Sequence, residues 1–271
     1  MKTMLELFLL TYLIAAVSGV LVGSVSAPLV MSRSTMFGLT MLHSILGGAV
    51  LGVYLNIVFG LGIPIPLAAT ISAILLSIMT AELVEKGFAE DAAIALSVAV
   101  ATTITIVFSY LASYVSSTAI AEAWAYVTGT SAIATIDDLL KVVVAAVIVA
   151  PIMLLIFREF KYISFDEDGA KTLGLNVRLY RYVFYALTAI TASTLSATIG
   201  VLITHVALAV PGAVAMRLSR KSHLTISFIV ALALMLVGYF LARMINIPPS
   251  GGVGILSALM IVVIVLGHGK G

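Results

Sequence analysis

Apolar residues run along this chain in long blocks, unlike the short alternation of a half-buried strand or the one-sided stripe of a surface helix. A bilayer core takes roughly 20 apolar residues in helical form. Nine blocks reach or approach that length, at about 5–31, 36–58, 61–82, 92–116, 139–157, 179–199, 200–216, 224–244 and 251–267. The sixth and seventh abut at Gly200, and the seventh is short and contains Pro211. The pattern predicts an all-α fold, a polytopic transmembrane helix bundle of about nine spans. Eight spans with one re-entrant helix is the alternative. No linker or extramembrane domain interrupts the blocks, so residues 1–271 read as one transmembrane domain.

Composition agrees. The chain is 62% hydrophobic and 10% charged, with a mean hydropathy of +1.23. A soluble domain carries about 25% charged residues. A net charge of +2 without any long basic run gives no reason to expect nucleic acid as a partner. Cysteine is absent, which excludes disulfides, CxxC redox pairs and thiolate metal sites. Glutamine is absent too and asparagine occurs three times, a usage that loosely fits a thermophile. The first block, Leu5 to Met31, is too long for the apolar core of a cleavable signal.

Charge in the loops sets the expected orientation. With the N-terminus outside, Arg33, Lys86, Arg158, Lys161, Lys171, Arg178, Arg181, Arg217, Arg220, Lys221 and Lys270 fall inside, eleven of the fourteen basic residues. Lys2, Lys141 and Arg243 remain outside. An N-out, C-in arrangement in the cell membrane is therefore expected. The outer loop near 117–138 carries Glu122, Asp137 and Asp138, with Trp124 and Tyr126 as candidate interfacial anchors.

Ionisable residues at membrane depth are costly, which makes them functional candidates. His43 lies inside the second block and His205 inside the seventh. Thr40, His43, Ser44 and Gly47 fall at i, i+3, i+4 and i+7, one face of a helix. Ser196, Gly200 and Thr204 lead to His205 at intervals of four. Neutral imidazole is a ligand for Mn, Zn or Fe. Two histidines do not complete such a site, so hydroxyls, carbonyls or water would assist. The competing reading is close packing of small residues, with each histidine hydrogen-bonded to a neighbouring helix. Pro211 frees a carbonyl near Ala207 and reads either as a cavity-lining helix kink or as a packing feature.

One short segment outside the membrane has helix signals of its own. Ser164-Phe165-Asp166-Glu167 reads as a capping box, with Ser164 at the N-cap and Glu167 three residues on. Gly174 is a natural stop. Phe165, Gly169, Ala170 and Leu173 would form its narrow apolar face, to lie on the membrane or in the groove of a partner. Arg217, Arg220, Lys221 and His223 form another inner loop, read as topology control. The sequence contains no G-x-x-x-x-G-K-[ST], H-E-x-x-H or G-x-S-x-G. The chain itself is therefore expected to be neither an ATPase nor a hydrolase.

Several segments together resemble the permease subunits of the ABC-3 family, importers of zinc, manganese or iron. Arg33 followed by His43-Ser44 and Gly47 resembles the family's R-x-S…S-H-x-x-x-G region. Glu90-Asp91-Ala92-Ala93-Ile94 resembles its E-D-x-A-I start of a span. Phe165-Asp166-Glu167, Ala170 and Leu173-Gly174-Leu175-Asn176-Val177 resemble its cytoplasmic F-D-x-x-x-A-x-x-x-G-I-x-V segment. Ile199-Gly200-Val201-Leu202 with Pro211-Gly212-Ala213-Val214-Ala215 resembles V-G-x-L…P-A-A-x-A, and Ile247-Pro248-Pro249-Ser250-Gly251 resembles L-P-x-G.

The resemblance covers nearly the whole chain. It implies a homodimeric permease working with cytoplasmic ABC ATPase subunits and an extracytoplasmic metal-binding protein. No cofactor would be bound permanently; the divalent metal ion is cargo. The coupling helix would map onto Phe165, Asp166, Glu167, Ala170, Leu173 and Gly174, and the family's pathway histidine onto His43; Thr40, Ser44, Thr204 and His205 join the candidate pathway from the helix faces described above. One position departs from the family pattern: Leu39 stands where many members carry an Asp one turn before the histidine, and Leu42 where they carry Ser. His205 would replace the lost ligand, or the selectivity would differ. The alternatives are a permease for a non-metal substrate and a proton-coupled secondary transporter, the latter disfavoured by the lack of an intramembrane acidic pair.

Overall fold

The computed structural model describes residues 2–115, 135–218 and 222–266. Trp124, Tyr126 and Glu122 lie outside the described residues. The elements are α1 (Lys2–Met31), a 3-10 turn (Ser34–Met36), α2 (Phe37–Phe59), α3 (Ile65–Glu85), α4 (Glu90–Val115), α5 (Ile136–Phe165), α6 (Glu167–Thr172), α7 (Val177–Ile199), α8 (Val201–Leu218), α9 (His223–Met244) and α10 (Pro249–Leu266). Among the described residues the fold is thus an all-helical bundle of ten α-helices, without strands.

Seven helical stretches are long and apolar enough to cross a membrane: Glu6–Met31, Ser34–Phe59, Ile65–Glu85, Glu90–Val115, Ile136–Phe165, Val177–Ile199 and His223–Met244. The remaining two apolar blocks form the shorter helices Ile203–Leu218 and Pro249–Val262. Each apolar block read from the sequence corresponds to one α-helix among the described residues.

Local chemistry sets the helix ends. The third helix begins at Ile65, not at 61. Gly60 closes α2 in the left-handed region, and the amide of Asn56 bonds both the N–H and the carbonyl of Ile63 at 2.7 Å. Pro64 then supplies the extended residue before the first turn. Thr135 and Asp138 cap each other's backbone N–H at the start of α5. That helix overruns its apolar block through Arg158, Glu159 and Lys161 and stops where Asp166 turns extended. α7 and α8 are separated by Gly200 alone, at φ 89°. α8 stays helical through Pro211, and the next amide, of Gly212, donates to Ser26 Oγ in α1 at 2.6 Å.

Without water to drive helices together inside a membrane, close backbone approach at small residues does much of the packing. α1 meets α9 this way. A Cβ added at Gly19 would lie 2.9 Å from Leu232 Cα, and one at Gly23 2.7 Å from Phe228 Cα. Ser227 Oγ donates to Gly23 O across the same seam. α2 lies between α3 and α4, and α3 packs on α7. Hydroxyl pairs at 2.7 Å tie Thr70 to Ser193 and Thr80 to Ser97. The core gathers Leu21, Leu29, Phe37, Met41, Leu195 and Leu208, each at most 1% exposed.

Candidate functional site: a histidine-bearing helix and a short docking helix

Helix α2 carries the polar stripe read from the sequence, and the structure turns it toward α4. His43 Nδ1 stands 3.4 Å from Thr102 Oγ1. One turn on, a Cβ at Gly47 would meet Ala101 O at 3.0 Å and Thr105 Oγ1 at 3.1 Å. Thr40 and Ser44 are fully buried. Ser44 Oγ donates back to Thr40 O at 2.6 Å, whereas Thr40 Oγ1 is buried with no hydrogen-bond partner among the described residues. Thr102 was not singled out from the sequence. Its signal is weak, a pair of threonines in an apolar helix 59 residues further along the chain.

His205 approaches the same helix from α8. Its ring packs over Gly38, where a Cβ would lie 2.9 Å from Nδ1. That Nδ1 is buried, with no hydrogen-bond partner among the described residues. Gly38 and His43 are five residues apart on α2, so their side-chain directions differ by roughly 140°. The two histidines therefore address different faces of α2. Thr204 is fully buried, and its hydroxyl is occupied by Gly200 O at 2.8 Å. Among the described residues no group of three or more His, Cys, Asp or Glu side chains could enclose a metal ion.

The short segment after α5 forms a helix with ends that differ from the sequence reading. The N-cap of α6 is Asp166, whose carboxylate accepts from Gly169 N at 2.9 Å. Ser164 is still inside α5, its hydroxyl bonded to Phe160 O. The expected capping box is therefore corrected: Asp166 caps, and Glu167 opens the helix. Gly174 does end the segment, at φ 80°, with Gly174 N donating to Lys171 O and Leu175 N to Ala170 O. The expected single apolar face is split. Ala170 is fully buried, while Phe165 and Leu173 project outward, 92% and 68% exposed.

An ionic network that the sequence reading missed anchors this region. Arg181 of α7 donates to Glu167 of α6 at 2.9 Å and also bonds Glu85 of α3. Arg178 reaches Glu82 at 3.0 Å, and Tyr182 bonds the same carboxylate. Tyr185 donates to Glu90 at the start of α4 at 3.0 Å, and its ring stacks on Phe37 with centroids 4.0 Å apart. Residues 178, 181, 182 and 185 fall at i, i+3, i+4 and i+7, so a signal existed. By loop charge alone, both arginines read only as residues that set orientation. Burial raises the Glu167 carboxyl, but its hydrogen bond to Lys171 and the charges of Arg181 and Lys171 outweigh that and hold it below its ordinary value. Arg181, Glu167, Glu90 and Tyr185 are among the residues that line a cleft of about 270 Å³, as is Phe165.

Seven helices of membrane-crossing length and two shorter apolar ones, packed as one all-helical bundle among the described residues, define a multi-pass membrane protein. The model of the ABC 3 transport family matches residues 1–268, and the chain belongs to that family. It is a permease subunit, with ATP hydrolysis assigned to a separate subunit in such systems. A membrane protein of Cyanophora paradoxa from the ycf23–apcF intergenic region is 25% identical over 258 residues, 94% of this chain and 83% of that one. The manganese transport system membrane protein MntC of Listeria monocytogenes is 34% identical over 86 residues, 31% of this chain and 30% of that one. The solved structure of PsaBC from Streptococcus pneumoniae in complex with Fab superposes with a TM-score of 0.76 at 22% identity, covering 95% of this chain and 90% of that chain. At that identity the likeness concerns the fold.

Proposed function

We propose that this chain is the permease of an ABC importer that moves a divalent metal ion, Mn, Zn or Fe, into the cytoplasm. The observation that carries the reading is family membership over residues 1–268, and the name of the manganese-system relative supports the cargo. Nine helices cross the membrane as one domain, α8 and α10 included, with the N-terminus outside and the C-terminus inside. Two copies pair. An extracytoplasmic metal-binding protein delivers the ion to the outer face.

Inside the membrane His43, Thr102, Thr40 and Ser44 hold the ion transiently along α2, and His205 with Thr204 lines the approach from α8 near Pro211. Imidazole and hydroxyl ligands without a carboxylate bind weakly, which suits passage. Leu39 in place of an acid removes the strongest ligand the stripe could have had. At the inner end the ATPase subunits dock on Phe165 and Leu173, with Asp166, Glu167, Ala170 and Gly174 setting the shape of α6. Exposed apolar side chains on either side of the capped helix α6 support that assignment.

The test is ATP hydrolysis by the chain reconstituted with its ATPase and binding protein, scanned over Mn²⁺, Zn²⁺ and Fe²⁺. Stimulation by one of these ions, lost in His43→Ala, is expected. A complex that hydrolyses ATP yet responds to none of the three would make it a permease for another substrate.

A further inference from the structure

We infer that Arg181 is a positioning residue for transport, the link that holds α6 on the transmembrane bundle and joins it to the helix carrying His43. The inference rests on the docking role proposed above for α6. That helix has six residues, and a helix this short has no stable orientation of its own. Its pairs from Lys171 to Glu167 and Asp168 are internal to α6. Among the described residues, the ion pair that leaves it goes from Glu167 to Arg181.

Arg181 suits the task. A guanidinium has five donors in a fixed fork, so it can hold two carboxylates on different edges, which an ammonium does less well. Here Nη2 faces Glu167 of α6 while Nη1 faces Glu85 of α3. The Arg181 and Glu85 side chains are 17% and 22% exposed. The pair is therefore less screened by solvent and salt than an ordinary surface pair.

The contacts continue inward. One turn along α7, Tyr185 bonds Glu90 of α4 and stacks on Phe37, the first residue of α2. Phe37 is fully buried and Tyr185 is 3% exposed, so displacement of α7 must move them or open the core.

The complete complex, with ATPase subunits and binding protein in liposomes, is assayed for Mn²⁺ uptake and ATP hydrolysis together. Arg181→Gln is expected to assemble and to hydrolyse ATP without substrate within about twofold of the parent, while Mn²⁺ moved per ATP falls about tenfold, the size of a typical coupling free energy between two sites. Arg181→Lys should fall between, and Glu85→Gln should resemble Arg181→Gln. An unchanged ratio in Arg181→Gln overturns the inference. So does loss of the ATPase from complexes of both Arg181→Gln and Glu85→Gln, which would assign the cluster to assembly. Failure of the docking reading shows separately, as a Phe165→Ala complex that assembles and couples normally.

Discussion

The imidazole of His205 rests on Gly38, at a position where any larger residue on α2 would meet its Nδ1 at 2.9 Å. The glycine is there for proximity between α2 and α8. Its substitution should therefore act through the histidine. Gly38→Ala gains up to about 1 kcal/mol of helix propensity and pays about 1–3 kcal/mol for overpacking. A net drop in melting temperature is expected. Adding His205→Ala to Gly38→Ala removes the clash and should recover it, giving a non-additive cycle of at least about 0.5 kcal/mol. Melting curves of the four proteins decide this. Strict additivity would mean that the ring does not constrain the contact.

His43 and Thr102 give a second prediction. At 3.4 Å their contact is at the long limit for a hydrogen bond, so it is worth about 0.5–1 kcal/mol or less. Thr102→Val should change the melting temperature little and lower Mn²⁺ uptake only about two- to fivefold, the rate equivalent of that energy. His43→Ala removes the ligand itself and should lower uptake more, with assembly on the ATPase retained. Uptake by filter assay and co-purification of the ATPase check both. Unchanged uptake in His43→Ala would return the residue to a packing role.

Much of this molecule follows from local pattern. The apolar blocks became helices because length and composition leave a membrane chain few choices. Gly174 was legible as a stop because a left-handed residue after a helix favours glycine on sterics alone. The cap at the other end was not, since Ser164 and Asp166 are both capping residues two positions apart. α5 decided between them by overrunning its apolar block. Periodicity also showed which residues of α2 share a face, but not what that face meets. Thr102 is 59 positions from His43, and Glu85 is 96 from Arg181. Such partners depend on helix packing, which one sequence does not encode in any local signal. The histidines illustrate the limit: each was found, yet their separation around α2 was not foreseen.

Phe165 offers a third prediction because it is 92% exposed. A side chain with so little contact in its own chain should be replaceable at almost no cost, within about 0.5 kcal/mol. Phe165→Ala should therefore melt like the parent and yet lose substrate-stimulated ATP hydrolysis, since the partner loses its apolar anchor. Gly174→Pro should do the same with some loss of stability. Proline fixes φ near −65°, whereas Gly174 sits at 80° and donates its N–H to Lys171 O. The readouts are the melting curve of the permease and ATP hydrolysis by the complex. Normal stimulation in both variants would remove the docking role of this helix.

The Glu167 carboxyl supplies a prediction about pH. Burial pushes it up, but Lys171 and Arg181 together hold it below its ordinary value. A carboxyl whose value is lowered on folding stabilises the folded state above its unfolded value, near 4.3, and loses that contribution as pH falls through its lowered folded value. Melting temperatures of the detergent-purified permease and of Glu167→Gln should accordingly differ by a constant amount from neutral pH down to about 5. Below about 4.3 the two curves should converge as the parent carboxyl takes up its proton. The side chain is 42% exposed, so the gap should be small and should narrow with added salt. A gap that widens on acidification would show that the neutral acid, not the carboxylate, holds α6 in place. A gap absent at every pH would show that the Glu167 carboxylate contributes nothing to holding α6 on Arg181.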